Sequence, residues 1–364
     1  MNTEHQKLRV AVVGGGIGQH HIEAYQQLGD LCEVLAVCDI DTAKARALAA
    51  ARSIPRVTGD LGELCRMDDL DVIDICTPPH LHFEHIHQVL DSGKHAICEK
   101  PLVGSVREVD ELLKIEAASG KRIMPIFQYR FGHGLQKLKF LVDQGLAGSA
   151  YLTTVETSWR RRAPYYAVPW RGKWQTELGG VLLSHAIHSH DMLTYILGPI
   201  SSVFARTITR VNAIEVEDCA AVALEMADGS LATLAATLGS TPEITRHRFC
   251  FQNLTAESNT APYANSGDPW NFTGDTPEQA EQIAAALEQF APLPEGFAGQ
   301  FFRFAQALAQ GTELPVTLAD ARTALELITA LYHSSRTHQR VQLPINHEHP
   351  AYTSWLPTSA AEAQ

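Results

Sequence analysis

What is missing from this chain excludes several classes of protein. No apolar stretch approaches the ~20 residues a helix needs to cross a bilayer, so no membrane partner is expected. Basic residues are not in excess. Lys and Arg number 29 against 41 Asp and Glu, a net charge of −12, whereas nucleic acids and anionic membrane surfaces reward clustered positive charge. No nucleic-acid partner is expected either. The seven cysteines (Cys32, Cys38, Cys65, Cys76, Cys98, Cys219, Cys250) are odd in number, scattered and never spaced Cys-x-x-Cys. That argues against a disulfide framework or a structural zinc site and points to a reducing compartment. Internal repeats and low-complexity tracts are lacking. Met1–Lys7 is polar and runs straight into a strand pattern, without the apolar core of a secretory signal. The expectation is a cytoplasmic globular protein of about two domains, each large enough to bury its own core.

What is present begins with a β-branched run, Leu8 to Val13, followed at once by Gly14-Gly15-Gly16-Ile17-Gly18-Gln19. A helical pattern through Ile22, Tyr25 and Leu28 ends at Gly29. Strand, glycine turn and helix form the phosphate-binding opening of a dinucleotide fold, in which glycines let the backbone approach a pyrophosphate on the helix amino end. The spacing departs from G-x-G-x-x-G: the third position falls on Gln19, with Gly18 one residue early. A second run, Val34 to Cys38, ends in Asp39, an acid placed to bind the adenosine ribose hydroxyls and repel a 2′-phosphate. No Arg or Ser follows it, and Asp41 caps the next helix. The cofactor expected is therefore NAD in preference to NADP.

Val72 to Cys76 is the next buried strand, ending in Thr77-Pro78-Pro79-His80-Leu81-His82. His95 to Cys98 then ends abruptly in Glu99-Lys100-Pro101. Alternation of strands and helices at this spacing implies a parallel, doubly wound sheet. Ligands collect at the carboxyl ends of such strands, which puts Lys100 on the rim that carries the glycine loop and Thr77. The histidines at 80, 82, 85 and 87 are spread around a loop and a helix start, and no cluster of acids or cysteines completes a shell. No metal is expected.

These residues together resemble the glucose–fructose oxidoreductase / inositol dehydrogenase (Gfo/Idh/MocA) family. The likeness rests on the Gly14–Gly18 loop with His21, Asp39, Thr77-Pro78 with His82, and Gly93-Lys94-His95 leading into Glu99-Lys100-Pro101. It implies an amino-terminal Rossmann domain (1–127), a substrate-binding and oligomerisation α/β domain (128–364), Lys100 in the active site and a cis Lys100-Pro101 peptide. The cofactor-binding residues expected on this basis are Gly14, Gly16, Ile17, Gly18, Asp39, Thr77, Pro78, His82, Glu99, Lys100 and Gln128.

Beyond Phe127 the pattern becomes a run of strands: 151–158, 201–210, 218–226, 230–238 and 246–252, with an Asp228-Gly229 hairpin signal. Strands without intervening helices indicate an α+β domain with a large, mostly antiparallel open sheet. An uncovered apolar face on such a sheet is commonly sealed by a second subunit, so a homodimer or homotetramer through the open sheet is expected. Helices are expected over 277–290, 297–310 and 318–334, and a flexible loop over 255–275.

The chemistry of this half gathers in Gly179-Gly180, then Ser184, His185, His188 and Asp191. Ser184, His188 and Asp191 share one helical face at spacings of four and three. The family pattern has Asp where Ser184 stands. A serine cannot serve as a base at neutral pH, so proton transfer is expected to rest on Lys100 and His188. Upstream, Trp159-Arg160-Arg161-Arg162 and Tyr165, Trp170 and Arg171 suit a polyhydroxylated ring, or a carboxylate or phosphate attached to one. The same composition suits an oligomer interface, and both readings stay open. The substrate-binding residues expected are Lys100, Arg160, Tyr165, Trp170, Ser184, His185 and His188.

The function expected is an NAD-dependent dehydrogenase acting on a secondary ring hydroxyl of a sugar, cyclitol or close derivative, or on the matching ketone. A nucleotide-sugar or sugar-acid dehydrogenase is the alternative within that class. From other classes the alternatives are a dinucleotide-binding regulatory protein and a redox-neutral NAD-dependent glycosidase.

Overall fold

The computed structural model describes residues 7–358. The chain divides into two compact units. The first holds six strands: β1 (Leu8–Val13), β2 (Cys32–Cys38), β3 (Arg56–Thr58), β4 (Val72–Ile75), β5 (His95–Cys98) and β6 (Ile123–Pro125). They form one sheet in the order β3-β2-β1-β4-β5-β6, every neighbour parallel. Strands buried on both faces need continuous apolar runs, and Val10, Ala11, Val12, Ile73, Ala96 and Ile97 have no exposed surface.

The first unit comprises the residues up to Gly104, Glu108–Phe127 and Gly296–Ala321. The last segment corrects the assignment of 128–364 to a single domain. The helix Gly296–Gln310 packs in the first unit because Phe297 and Phe301 lie against His21 and Tyr25. The Gln300 side chain also bonds the backbone of Pro125 and Phe127.

The second unit is built on an eight-stranded sheet: β7 (Ala150–Arg160), β8 (Ile200–Ile208), β9 (Cys219–Met226), β10 (Leu231–Thr237), β11 (Gly239–Phe251), β12 (Leu254–Glu257), β13 (Asn271–Gly274) and β14 (Val341–Gln342). The order is β13-β12-β11-β7-β10-β9-β8-β14. Neighbours are antiparallel except β7 and β10. The hairpin expected at Asp228-Gly229 joins β9 to β10, with Gly229 at φ +86°. The flexible loop expected over 255–275 is corrected. Its ends are β12 and the edge strand β13, antiparallel to each other; four-residue strands leave little periodic signal.

One sheet face carries Val222, Leu224, Ala232, Leu234 and Phe249 into the core. The other presents Ala221, Ala223, Thr233 and Ala235, all exposed. Leu152, Phe204, Ile208 and Leu231 are 40% to 53% exposed. Leu231 stands directly opposite Leu152 across the β10–β7 pair.

Candidate active site

In the first unit the glycine loop leaves β1 with Gly14 at φ +100°. A side chain at Gly14 would meet the Cys76 carbonyl at 2.4 Å, and one at Gly18 would meet Val12 at 2.8 Å. Gly18 therefore supplies the close helix-to-strand packing that the early spacing left in question. Gly16 has nothing within 4 Å of where a Cβ would stand. The following helix, Gly18–Gln27, starts at Ile17 with no side chain capping its first N–H groups and no acid in its first turn. An open backbone position beside uncapped N–H groups fits a dinucleotide pyrophosphate.

Asp39 ends β2. Its Oδ2 accepts the Gly15 N–H at 2.7 Å and its Oδ1 accepts the Asp41 N–H at 2.9 Å. Helix capping falls to Asp41, which accepts from Lys44 N–H at 3.0 Å. The Lys44 ammonium lies 3.9 Å from Asp39, a cation that inspection of the neighbouring sequence missed.

Thr77 follows β4, and Glu99 and Lys100 follow β5, so the parallel sheet brings them to the rim of Gly14 and Asp39. The Lys100-Pro101 peptide is cis, as expected. His82 requires correction as a cofactor contact. It is fully buried, with Nδ1 2.8 Å from the Pro101 carbonyl and Nε2 2.8 Å from that of Thr77. It braces two rim loops, and burial lowers its pKa even though both carbonyls oppose that. Glu99 is buried as well: Oε2 accepts the Lys100 N–H at 3.0 Å and Oε1 lies 3.1 Å from His21 Nε2.

In the second unit Gly179 and Gly180 are required by crowding. A Cβ on Gly180 would come within 1.8 Å of the Glu217 carbonyl, and one on Gly179 within 2.3 Å of the Tyr332 hydroxyl. Glu217 is buried beneath this turn. Its carboxylate accepts N–H from Gly180 at 2.9 Å and Leu182 at 3.0 Å, and the Tyr332 hydroxyl at 3.0 Å. Burial pushes its pKa up to about 7. Nothing in the local sequence signalled Glu217, because its partners are 35 or more residues away.

The expected single helical face is also revised. Val181–His185 winds as one π-helical turn, and the regular helix starts at Ile187. Ser184 Oγ donates to the Gly179 carbonyl at 3.3 Å. The buried His188 ring stacks on Tyr129 with centroids 4.5 Å apart. Asp191 accepts from Arg130 Nε at 2.8 Å and Nη2 at 2.6 Å, and this buried ion pair commits its carboxylate. The turn Gln128–Phe131 thus holds both His188 and Asp191. Gln128 Oε1 is buried without a hydrogen bond, and Gln128 belongs to the second unit.

Arg160, Arg161, Arg162, Pro164 and Tyr165 line an open groove. Arg161, rather than Arg160, organises it. Its guanidinium lies 5.2 Å from the Trp159 ring, 5.0 Å from Tyr165 and 5.7 Å from Tyr263, and bonds Glu243 at 3.0 Å. His185 lies 5.6 Å from both the Trp159 and Tyr165 rings. Trp170 is not part of the groove lining; its ring lies 4.3 Å from the Arg171 guanidinium, which sits 4.0 Å from Tyr165.

A parallel sheet in this order, with an uncapped glycine turn and a strand-end acid on one rim, is a dinucleotide-binding Rossmann fold. Residues 8–127 match the model of the oxidoreductase family with an NAD-binding Rossmann fold, and residues 135–252 match the GFO/IDH/MocA C-terminal domain. The chain belongs to the GFO/IDH/MocA oxidoreductase family. It is 30% identical over 240 residues to an uncharacterized oxidoreductase of Synechocystis sp., covering 62% of this chain and 64% of that one. It is 31% identical over 209 residues to D-glucoside 3-dehydrogenase of Escherichia coli, covering 56% and 59%. The chain thus spans just under two thirds of the length of these relatives. Among solved structures, the WlbA dehydrogenase of Bordetella pertussis, in complex with NADH and UDP-GlcNAcA, superposes with a TM-score of 0.82. That match is 28% identical and covers 94% of this chain and all of the other. Among the described residues, no helix is long and apolar enough to cross a membrane.

Proposed function

We propose that this chain is an NAD(H)-dependent dehydrogenase that oxidises a secondary ring hydroxyl of a sugar, a cyclitol or a close derivative, or reduces the matching ketone. The observation that carries the reading is the single rim of the parallel sheet. There the open Gly16 backbone, the Asp39 carboxylate and Lys100 all follow strand ends. NAD, when bound, supplies the hydride acceptor. Gly16, Ile17 and Gly18 would hold its pyrophosphate, Asp39 its ribose hydroxyls, and Thr77 and Pro78 the rim beside them. Lys100 Nζ takes the substrate hydroxyl proton, or returns it in the reverse direction. His188, in the second unit, is proposed as a second proton carrier, its ring held by Tyr129. Ser184 and His185 are proposed substrate contacts. The apolar sheet face is proposed to pair with a second copy of the chain.

A second reading is favoured by the Arg160–Arg162 groove: a substrate bearing a carboxylate or a phosphate, such as a sugar acid or nucleotide sugar. Guanidinium forks bind both groups bidentately, and the Bordetella relative was solved with UDP-GlcNAcA.

The test is NAD reduction at 340 nm over a panel of D-glucose, a methyl glucoside, myo-inositol, D-glucuronate and a UDP-hexuronate. Lys100→Met is expected to lower turnover by about 10²–10⁴, the usual worth of general acid–base help, while NADH binding survives. Near-normal turnover in that variant would end the role given to Lys100. If uncharged sugars turn over as well as their acids, the groove reading fails.

A further inference from the structure

The first unit contains a buried cluster that the proposed chemistry leaves unused. His21, on the helix Gly18–Gln27, is fully buried between two carboxylates. Its Nδ1 lies 2.8 Å from Asp74 Oδ2 and its Nε2 lies 3.1 Å from Glu99 Oε1. The Tyr25 hydroxyl donates to the same Asp74 oxygen at 2.9 Å. Phe297 and Phe301 close over the imidazole with ring centroids at 4.3 and 5.3 Å, and Tyr25 stacks on Phe301 at 4.2 Å. Two carboxylates withdrawn from water need a compensating cation, and an imidazolium donating both N–H groups provides it. Burial is the largest single influence on the His21 pKa and lowers it, but Asp74 leads the neighbours that together raise it well above the ordinary value. The Cys76 Sγ, 3.4 Å from Nδ1, belongs to a thiol that burial pushes up to about 12. As a thiol it joins the same hydrogen-bonded cluster, with its Sγ also 3.6 Å from Asp74 Oδ1.

Glu99 gives this cluster a way out to the rim. One carboxylate oxygen faces His21, and the other holds the Lys100 amide N–H at 3.0 Å. We propose that His21 is a positioning residue for Lys100: it locks the Glu99 carboxylate in the orientation that holds the Lys100 amide, and so fixes where the lysine leaves β5. The inference rests on the reading of Lys100 as the proton carrier. Without the imidazolium, Glu99 turns away from the Lys100 amide, and misplacement of a reacting group by about 1 Å costs on the order of 10²-fold in rate.

The experiment is a double-mutant cycle on His21→Gln and Lys100→Met. It measures kcat with the fastest substrate of the panel, NADH affinity by fluorescence titration, and amide exchange of the Lys100 segment. His21→Gln is expected to lower kcat about 10- to 100-fold, to leave NADH affinity within about twofold, and to speed exchange at the Lys100 amide. The double variant is expected to be no slower than Lys100→Met alone. Unchanged amide exchange, an unchanged kcat, or losses that multiply in the double variant would overturn the positioning role. Near-normal turnover in Lys100→Met, by contrast, would remove the reading of Lys100 itself. Should His21→Gln fail to fold, Asp74→Asn takes its place in the same cycle. It keeps an acceptor for Tyr25 and removes the charge that holds His21 protonated, and the same outcomes apply.

Discussion

Replacing Tyr332 by Phe tests the physics of the Gly179-Gly180 turn through its pH dependence. Glu217 beneath that turn has its pKa raised from 4.5 to about 7 by burial, against which the Tyr332 hydroxyl and the Gly180 and Leu182 N–H groups work. A carboxyl whose folded-state pKa lies above its unfolded value binds a proton more readily in the native state. Its contribution to stability is therefore fully present below about pH 4.5 and is lost as pH rises to about 7. A rise of that size is worth about 3 kcal/mol at 1.4 kcal/mol per tenfold change. The Tyr332 hydroxyl donates to this carboxylate at 3.0 Å, so its removal takes away a hydrogen bond to an ion above pH 7 and to a neutral acid at pH 5. Hydrogen bonds to charged groups contribute about 1.5–3 kcal/mol and neutral ones about 0.5–1.5. Tyr332→Phe should thus destabilise the protein by about 1 kcal/mol at pH 5 and about 2 kcal/mol at pH 8.5. The window over which stability falls should also extend to higher pH. Urea denaturation of both proteins at the two pH values measures the difference. A penalty that is equal at the two values, or larger at pH 5, would show that no buried carboxylate is being served by that hydroxyl.

Two other perturbations have defined outcomes. Asp39→Asn keeps an acceptor for the Gly15 N–H but removes the charge, leaving Lys44 as the nearby cation. Discrimination against NADP should fall about tenfold, the effect of losing 1–2 kcal/mol of charge repulsion. An unchanged NAD/NADP ratio in steady-state kinetics would return Asp39 to a purely loop-holding role. Leu231→Asp puts a charge into the exposed apolar face, opposite Leu152 and beside Glu225. A charge buried there without a partner costs several kcal/mol, so light scattering should show the mass of the proposed pairing for the natural chain and of a monomer for the variant; an unchanged mass would locate any interface elsewhere.

The first unit was legible from the sequence because its determinants are local. A strand, a glycine turn and an acid one strand later lie within 32 residues, from Leu8 to Asp39, and parallel alternation carries Thr77 and Lys100 to the same rim. What escaped was set by partners far along the chain. The segment 296–321 joined the first unit through Phe297 and Phe301, whose aromatic faces meet His21 and Tyr25 more than 270 residues away. A helical pattern read in isolation says which face is apolar, not which core receives it. The second unit shows the same limit at closer range. His188 was marked by its spacing from Gly179-Gly180, and spacing put Asp191 on the same face without saying what it pairs with. Arg130, sixty-one residues upstream, takes both carboxylate oxygens. The distinction matters for chemistry: an acid in a buried bidentate ion pair is a structural anchor, since proton acceptance would strand the guanidinium. With Asp191 committed to Arg130 and Ser184 engaged with the Gly179 carbonyl, neither is offered as a proton carrier, and the proposed proton transfer rests on Lys100 and His188. Glu217 beneath the Gly179-Gly180 turn and the Asp74–His21–Glu99 cluster beside the Lys100 amide are likewise buried acids whose partners lie far along the chain, beyond the reach of any local pattern.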